Sequence, residues 1–300
     1  MTRPLFAQPT TKWLITGGGA TGTESSGSDK GTTIAVDDDG NTYITGYYNV
    51  DAVFGPFATG FSNPNSKEVF VCKIDTDGNY VWLVTGLNYY DDRGLGLCLD
   101  PSGNVFVTGT CWGSIYFNGV GDPNEAFWTD QIFVVKIDNN GNVQWVNTEG
   151  NRDGSVGFSY NENGLPQTLY QDDHGQDIVS DSQGNLFITG FMSNIDSSSH
   201  DAQFGTISVP LAPSDSVSYI AKITNDGVWQ WVQTFDGEFK QRDQAIAIDD
   251  EDNIYVAGGY YGISTIGTTT HTTTQNTIVD YVIDPGGLSD TVWRNCIPNK

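Results

Sequence analysis

The stretch Gly40-Asn41-Thr42-Tyr43-Ile44-Thr45-Gly46 decides the fold, because the chain repeats it three more times. The later copies read GNVFVTG at 103–109, GNLFITG at 184–190 and DNIYVAG at 252–258. A short apolar segment ending in Asp precedes each copy, and a further strand, a tight turn and a Trp follow it. Internal repeats of this kind indicate an array of similar supersecondary units.

The first repeat predicts a meander of four antiparallel strands, at 34–37, 41–48, 69–74 and 80–85. Asp37-Asp38-Asp39-Gly40 and Asp75-Thr76-Asp77-Gly78 form its hairpin turns, in which Asp caps its own backbone and Gly supplies a positive φ. In the second strand of the later copies, both faces are mostly apolar or small. A sheet that is apolar on both faces is covered on both sides, as are the radially packed blades of a propeller.

The predicted fold is all-β, a β-propeller of four four-stranded antiparallel blades plus one extra N-terminal strand, in a single domain over residues 1–300. Residues 1–30 supply the extra strand, at 13–16, and a Gly/Ser loop from 17. The repeats cover 31–85, 93–148, 175–234 and 242–296. Residues 150–175 hold an inserted hairpin around the turn NENG.

The extra strand carries a fifth Trp of the type found in the fourth strand of each repeat. Since each of the four blades already has its own Trp strand, this fifth one is surplus. It caps an edge, pairs with a neighbouring subunit, or belongs to a ring completed by another chain. These three alternatives stay open on the sequence alone.

The two linked motifs read D-x-x-G-N-[apolar]-[YF]-[VI]-T-G and F-V-x-K-I-D-x-x-G-N-x-x-W, and over residues 12–295 they resemble the SBBP-type β-propeller repeat family of bacterial surface and secreted proteins. The resemblance implies a propeller and little about activity, since no shared catalytic residues accompany the repeat. The chain departs from the pattern in its drifted fourth repeat and in its insert.

Charge and composition exclude some classes of partner. The 37 acidic and 13 basic residues give a net charge of −24, which repels nucleic-acid phosphates and anionic lipid. No apolar run approaches the ~18 residues of a membrane-spanning helix, and the first residues carry no signal-peptide pattern. The four Cys occupy small core positions of the repeat, and no disulfide is predicted.

A basic residue precedes the first strand of every repeat: Lys30, Arg93, His174 and Arg242. One hypothesis places these four side chains in a ring at one mouth of an axial channel, where they would hold an anion. The alternative is local pairing with the preceding acids Asp29, Asp92 and Asp173, a common and weak interaction.

The Asp-rich turns open like a calcium loop but lack the distal bidentate Glu of an EF-hand. Calcium is therefore the one cofactor that the sequence leaves open. The three His show no metal-binding spacing, and no nucleophile elbow, phosphate-binding loop or dinucleotide fingerprint is present.

Several aromatic residues lie outside the repeated core positions and form the candidate binding residues: Trp112, Tyr116, Phe127, Trp128, Tyr89 and Tyr90. Exposed aromatic side chains near Asp and Asn suit carbohydrate stacking or a protein interface. The alternative is that they pack between blades.

The predicted function is a non-catalytic structural or binding module that contacts a protein partner or a surface glycan, as part of a larger assembly. It would lie on a cell surface, in an extracellular structure or on a virus or phage particle. The alternative is a carbohydrate-active hydrolase or lyase with a carboxylate pair at the channel mouth. A carboxylate pair with raised pKa values would favour the enzyme, and an exposed aromatic patch would favour the binding module.

Overall fold

The computed structural model describes residues 11–19, 29–49, 51–59, 66–88, 90–122, 129–151, 157–160, 166–169, 173–194, 200–212, 215–238, 245–266, 269–283 and 292–294. These ranges are all-β, with antiparallel strands and no helix among them. The strands in chain order are β1 (Gly17–Gly19), β2 (Lys30–Val36), β3 (Thr42–Asn49), β4 (Ala52–Phe54), β5 (Phe57–Ala58), β6 (Lys67–Ile74), β7 (Tyr80–Leu87), β8 (Arg93–Leu99), β9 (Val105–Trp112), β10 (Tyr116–Phe117), β11 (Val120–Gly121), β12 (Asp130–Ile137), β13 (Val143–Asn151), β14 (Gly157–Tyr160), β15 (Pro166–Leu169), β16 (His174–Ser180), β17 (Leu186–Asn194), β18 (His200–Phe204), β19 (Ile207–Leu211), β20 (Asp215–Ile223), β21 (Trp229–Glu238), β22 (Ala245–Ile248), β23 (Ile254–Ile266), β24 (Thr269–Ile283) and β25 (Val292–Arg294).

Each repeat forms one four-stranded antiparallel unit, as the meander pattern predicts. Unit 1 is β2-β3-β6-β7, unit 2 is β8-β9-β12-β13, unit 3 is β16-β17-β20-β21, and unit 4 is β22-β23-β24-β25. The insert between units 2 and 3 contains β14 and β15, which pair with each other as a hairpin. Among the described strands, no ladder joins unit 4 back to unit 1.

The hairpin turns are built as the D-x-x-G-N motif predicts. In the first turn, the Asp37 carboxylate accepts hydrogen bonds from the Asn41 backbone N–H at 2.8 Å and from its side-chain amide at 2.9 Å. Gly40 has a φ of 85°, which costs a glycine little because it has no Cβ. The fourth copy lacks this glycine, and Asp252 takes the left-handed conformation there with a φ of 63°.

The closing glycine of the motif is fixed by a close approach of backbones. A Cβ on Gly46 would overlap the Lys30 carbonyl oxygen of the neighbouring strand. Gly109 stands in the same relation to the Arg93 carbonyl oxygen, next to a β-bulge between Gly94 and Gly96. The last position of the motif therefore excludes any side chain.

Consecutive units pack face to face. The first strands follow one another in the order β2, β8, β16, β22, and the Thr32 hydroxyl of β2 donates to the Gly94 carbonyl of β8 at 2.7 Å. Three apolar clusters fill the junctions between units 1 and 2, units 2 and 3, and units 3 and 4. The two apolar faces of each inner sheet are thus both buried.

In units 2 and 3, a small hairpin between the second and third strands reaches back to the preceding unit, where β10 pairs with β7 and β18 pairs with β13. The corresponding strand of unit 1, β4, pairs with β1 of the N-terminal segment. Each hairpin carries one buried Phe, namely Phe54, Phe117 and Phe204, whose ring contacts an aromatic ring of its own unit. In the fourth repeat, β23 is long enough to pair with β21 directly.

The N-terminal strand lies a few residues later than predicted. Residues 13–16 are not a strand, and the ladder forms instead at β1, within the predicted Gly/Ser loop. The Trp13 indole N–H donates to the Thr76 carbonyl at 3.2 Å, so this residue does hold the place of the other Trp strands. In each unit the Trp strand pairs with the unit's third strand, but no such strand is described beside residues 13–16. The hairpin strand β4 pairs only with Gly17, Gly18 and Gly19.

No helix in the described part of the chain is both long and apolar enough to cross a membrane.

Candidate binding surface

The candidate aromatic residues that the structure describes gather at the junction of units 1 and 2. The Tyr90 and Trp112 rings lie 5.5 Å apart between centroids and tilted by 46°. The Tyr90 side chain is 45% exposed, and Trp112 is half-buried at the end of β9. Tyr90 therefore presents a ring to solvent with a second ring behind it.

A half-buried asparagine, Asn88, holds this pair in place. The Asn88 side-chain amide donates to the Trp112 carbonyl oxygen at 2.6 Å and to Asp92 Oδ1 at 3.0 Å. The Asn88 backbone N–H donates to Glu68 Oε2 at 3.2 Å, and Asn88 Oδ1 accepts from the Tyr90 N–H at 2.5 Å. Hydrogen bonds among Asn88, Glu68 and Asp92 thus hold the aromatic pair in position. We refer to these three residues as the polar layer.

Tyr116 is the second exposed ring of this region. It lies on β10, opposite Leu87 of β7, and is 50% exposed. Its neighbour Phe117 points the other way and is fully buried, as alternation along a strand requires. The turn after them places Asn118 and Gly119 at φ values of 48° and 85°, the type I′ geometry that Asn-Gly favours. We refer to Tyr90, Trp112 and Tyr116 as the aromatic surface.

Two carboxyl groups lie beneath the aromatic surface. Burial raises the pKa of Glu68 to about 7, against the lowering effect of hydrogen bonds from Ser66 and Asn88. Burial also raises the pKa of Asp92 well above its usual value, and the nearby Glu68 charge adds to this. Both side chains are completely buried, so they face protein and not solvent.

Asp92 has counterparts at the neighbouring junctions. Its Oδ1 accepts from the Trp112 N–H at 3.2 Å, as Asp29 Oδ1 accepts from the Asn49 N–H at 2.9 Å and Asp173 Oδ1 from the Ser193 N–H at 3.0 Å. The three Asp residues therefore anchor the end of the second strand in units 1, 2 and 3. This recurrence assigns Asp92 to the scaffold.

The basic positions before the first strands share a register and differ in environment. Lys30 is exposed, whereas Arg93 donates to Asp91 at 3.1 Å, where Lys67 also binds at 2.7 Å. His174 is buried and stacks on Phe191, with centroids 4.6 Å apart. Of the three described positions, two are thus engaged with neighbouring side chains.

The Asp-rich turns use their carboxylates internally. Asp138 Oδ1 and Oδ2 both accept from the Asn142 side chain, at 3.2 and 2.9 Å, and the same bonds recur at Asp75 and Asn79. In the described residues, no group of three or more His, Cys, Asp or Glu side chains is arranged to hold a metal ion. The structure thus gives these carboxylates a turn-capping role.

Four predicted site residues fall outside the described residues: Tyr89, Phe127, Trp128 and Arg242.

Sequence reasoning missed the polar layer and the small hairpins. Asn88 and Glu68 occupy positions that the repeat does not conserve internally, so no pattern marks them. The hairpins do carry a signal, a Phe followed by a turn glycine, in Phe54-Gly55, Phe117-Asn118-Gly119 and Phe204-Gly205. Gly55 and Gly205 have φ values of 57° and 58°, which suit the first central position of a type II′ turn.

No protein-family model matches the chain, and no curated protein matches it significantly.

Proposed function

We propose that the chain is a non-catalytic binding and assembly module, and that the aromatic surface is one of its contact sites for a partner. The carrying observation is the pair of half-exposed Tyr90 and Tyr116 rings at one junction of units, with Trp112 behind Tyr90. Aromatic rings held rigidly at a surface supply contact area at a low cost in conformational entropy.

The fold that we propose for this module is a propeller of the SBBP type. It is supported by four similar four-stranded units, by face-to-face packing of consecutive units and by the order of their first strands. Such an array serves as a rigid scaffold, and specificity then comes from segments that differ between repeats.

The partner that suits the aromatic surface is a neutral glycan or a protein surface. Sugar rings and apolar side chains both stack on Tyr and Trp, and the net charge of −24 disfavours polyanions. A cell surface, an extracellular structure or a virus particle would each present such partners, and we propose this setting for the module.

The alternative, a carbohydrate-active enzyme, needs carboxyl groups that reach a substrate. Glu68 and Asp92 have the raised pKa values that such an enzyme uses. However, both are completely buried, and Asp92 repeats the scaffold role of Asp29 and Asp173. These observations favour the binding module.

The experiment that tests the proposal compares wild type with Tyr90→Ala and Tyr116→Ala on a glycan array and in pull-downs from the native source. Val228→Ala is the control, because Val228 is a 57% exposed apolar residue on the turn of unit 3. We expect each tyrosine variant to lose at least about tenfold in affinity for a bound partner, with an unchanged melting temperature. Equal binding by all four proteins would reject the aromatic surface as the contact site.

A further inference from the structure

Unit 1 exposes an apolar position of its first strand that is buried in every other unit. Ile34 pairs in register with Ile44, as Leu97 does with Val107, Ile178 with Ile188 and Ile246 with Val256. The three later residues are 5%, 1% and 7% exposed, whereas Ile34 is 63% exposed. Val36, two residues along the same face, is 60% exposed.

The later residues are buried because a preceding unit covers them. Leu97 belongs to the cluster that contains Tyr43 and Val71 of unit 1. A Cβ on Gly94 would overlap the Thr45 hydroxyl of unit 1, which shows how closely the units approach. The equivalent glycine of unit 1, Gly31, meets only Ile44 of its own unit, at 3.5 Å. We call Gly31, Ile34 and Val36 the first-repeat face.

A cleft of about 550 Å³ adjoins the first turn of unit 1, between Trp13, Asp39, Gly40 and Thr76. At the next junction, the corresponding space beside Trp82 is filled by unit 1 itself. There Tyr43 and Lys73 both donate to the side-chain oxygen of Asn139, in the turn of unit 2. The cleft therefore lies where, at the next junction, the Tyr43 ring and the Lys73 side chain of the preceding unit lie.

Unit 4 leaves the opposite face open. Ala35, Cys98 and Val179 pack against the unit that follows theirs. Ala247 holds the same register position in β22, paired with Tyr255, and it is exposed. Ala257 replaces the threonine of the repeated motif and is exposed as well. We call Ala247 and Ala257 the fourth-repeat face.

The two open faces both lack the lysine-to-asparagine hydrogen bond that joins consecutive units at the inner junctions. At the inner junctions, Lys73 donates to Asn139 and Lys136 donates to Asn225. Val282 holds the lysine register position in unit 4, and Thr76 holds the asparagine position in unit 1. A junction between unit 4 and unit 1 would therefore lack both the lysine donor and its asparagine acceptor, so no lysine amine would lose its hydrogen-bond partner there.

We propose that a second copy of this chain covers the first-repeat face, with its fourth-repeat face packed there head to tail. The contact continues the interface that already joins units 1 to 4 in each chain. It is intermolecular because the chain's own unit 4 packs on unit 3 while Ile34 stays exposed.

The Trp13 segment prepares the site for three incoming strands. It already occupies the place of an outer Trp strand on the turn of unit 1, so the second copy needs to supply only β22, β23 and β24. The β25 strand of unit 4 is short, and it pairs Tyr281 with Trp293, whereas the inner units pair Lys73 with Trp82 and Lys136 with Trp145. Because β25 is shifted by one residue in register, we infer that the Trp13 segment of the other copy takes the place of β25 beside β24 at the contact.

The interface is heterologous, because different faces of the two copies meet. Repetition of such a contact closes a ring or builds a filament. This surface is separate from the aromatic surface, so either proposal can fail while the other holds.

The test measures self-association of the whole chain by light scattering and sedimentation over a range of concentrations. The variants are Ile34→Asp and Val36→Asp on one face and Ala247→Asp on the other, with Val228→Asp as the exposed control. We expect wild type and the control to form dimers or larger species. Each face variant should associate at least about a hundredfold more weakly, with an unchanged circular dichroism spectrum. Because the three replaced side chains are exposed, the fold should tolerate the charge.

Mixing provides the decisive arm. Ile34→Asp keeps an intact fourth-repeat face and Ala247→Asp keeps an intact first-repeat face, so an equimolar mixture should form a one-to-one dimer although neither variant does alone. A wild-type protein that stays monomeric would overturn the proposal. This includes a monomer in which unit 4 of the same chain packs on unit 1 and covers Ile34. Retained association of the face variants, or failure of the mixture to pair, would overturn it equally.

Discussion

The Trp82 indole N–H donates to the Asn139 carbonyl oxygen at 3.1 Å and so ties the last strand of unit 1 to the turn of unit 2. The same bond joins Trp145 to the Asn225 carbonyl at 3.1 Å. Trp82 and Trp145 thus each join two consecutive units by a hydrogen bond, in addition to packing in the core between them.

Replacing Trp82 with Phe removes this hydrogen bond while keeping an aromatic ring. We expect the free energy of unfolding to fall by about 1–2 kcal/mol, because the hydrogen bond between the units is lost and the smaller ring fills less of the buried space around Trp82. Urea unfolding at neutral pH measures the loss. Trp13→Phe is the matched control: its bond to Thr76 lies at the partly open end of the array, so its loss should be smaller. An equal loss in both variants would contradict the role of the junction.

Gly109→Ala should destabilise the fold severely. The added Cβ overlaps the Arg93 carbonyl oxygen and lies 2.8 Å from the buried Phe133 ring, so the Cβ has little room to relax. We expect a loss of about 3 kcal/mol or more in thermal or chemical unfolding. Gly119→Ala separates this clash from backbone conformation, since Gly119 has a φ of 85° but an added Cβ there would meet nothing within 4 Å. That control should cost only about 1 kcal/mol, and equal losses would argue against the clash.

Glu68→Gln should stabilise the protein at alkaline pH. The pKa of Glu68 is raised to about 7 by burial, so the folded state binds more protons than the unfolded state between about pH 4.5 and 7, and stability falls as the pH rises through that window. The glutamine variant lacks this term, and Gln131 already holds the equivalent position of unit 2. We expect a gain of ~2 kcal/mol at pH 8 that vanishes near pH 4.

Urea unfolding at pH 4, 6 and 8 gives the Glu68→Gln difference directly. Glu251→Gln, at an exposed turn position, serves as the control for replacing a glutamate by glutamine. A glutamine variant that is less stable than wild type at pH 8 would mean that the ionised carboxylate is needed by the polar layer.

Asp249 stabilises its turn in the opposite pH direction. The hydrogen bond from the Asn253 side chain lowers the pKa of Asp249 to about 2, below its value of about 3.9 in an unfolded chain. Its contribution is therefore complete above about pH 4 and is lost as the pH falls towards 2. The stability difference between wild type and Asp249→Asn should shrink across this window in urea titrations. A difference that stays constant from pH 5 to pH 2.5 would show that charge plays no part in the turn.

The repeated positions were predictable because their chemistry is local. The turn from Asp37 to Asn41 needs only a carboxylate, a glycine and an amide at fixed spacing, and the sequence displays all three. The strand predicted at residues 13–16 was wrong for a non-local reason, since a strand needs a neighbouring backbone that the motif does not reveal.

The aromatic surface shows the same division. Tyr90 and Trp112 stood out as aromatic residues beyond the repeat, and the structure brings their rings together. Asn88, which holds them, could not be identified, because its partners Glu68 and Trp112 lie far along the chain. The exposure of Ile34 was hidden for the same reason: the repeat pattern makes it look identical to Leu97 and Ile178.

Because the small hairpins pair with the preceding unit, a sequence repeat and a β-sheet do not contain the same strands. The sheet of unit 1 ends with β10 and β11, which repeat 2 encodes, and the sheet of unit 2 ends with β18 and β19, which repeat 3 encodes. Cutting the gene between two sheets would therefore strip one of them of its edge. Adding or removing one whole repeat leaves each hairpin a strand to join, so the length of the array can change in whole steps and not in fractions.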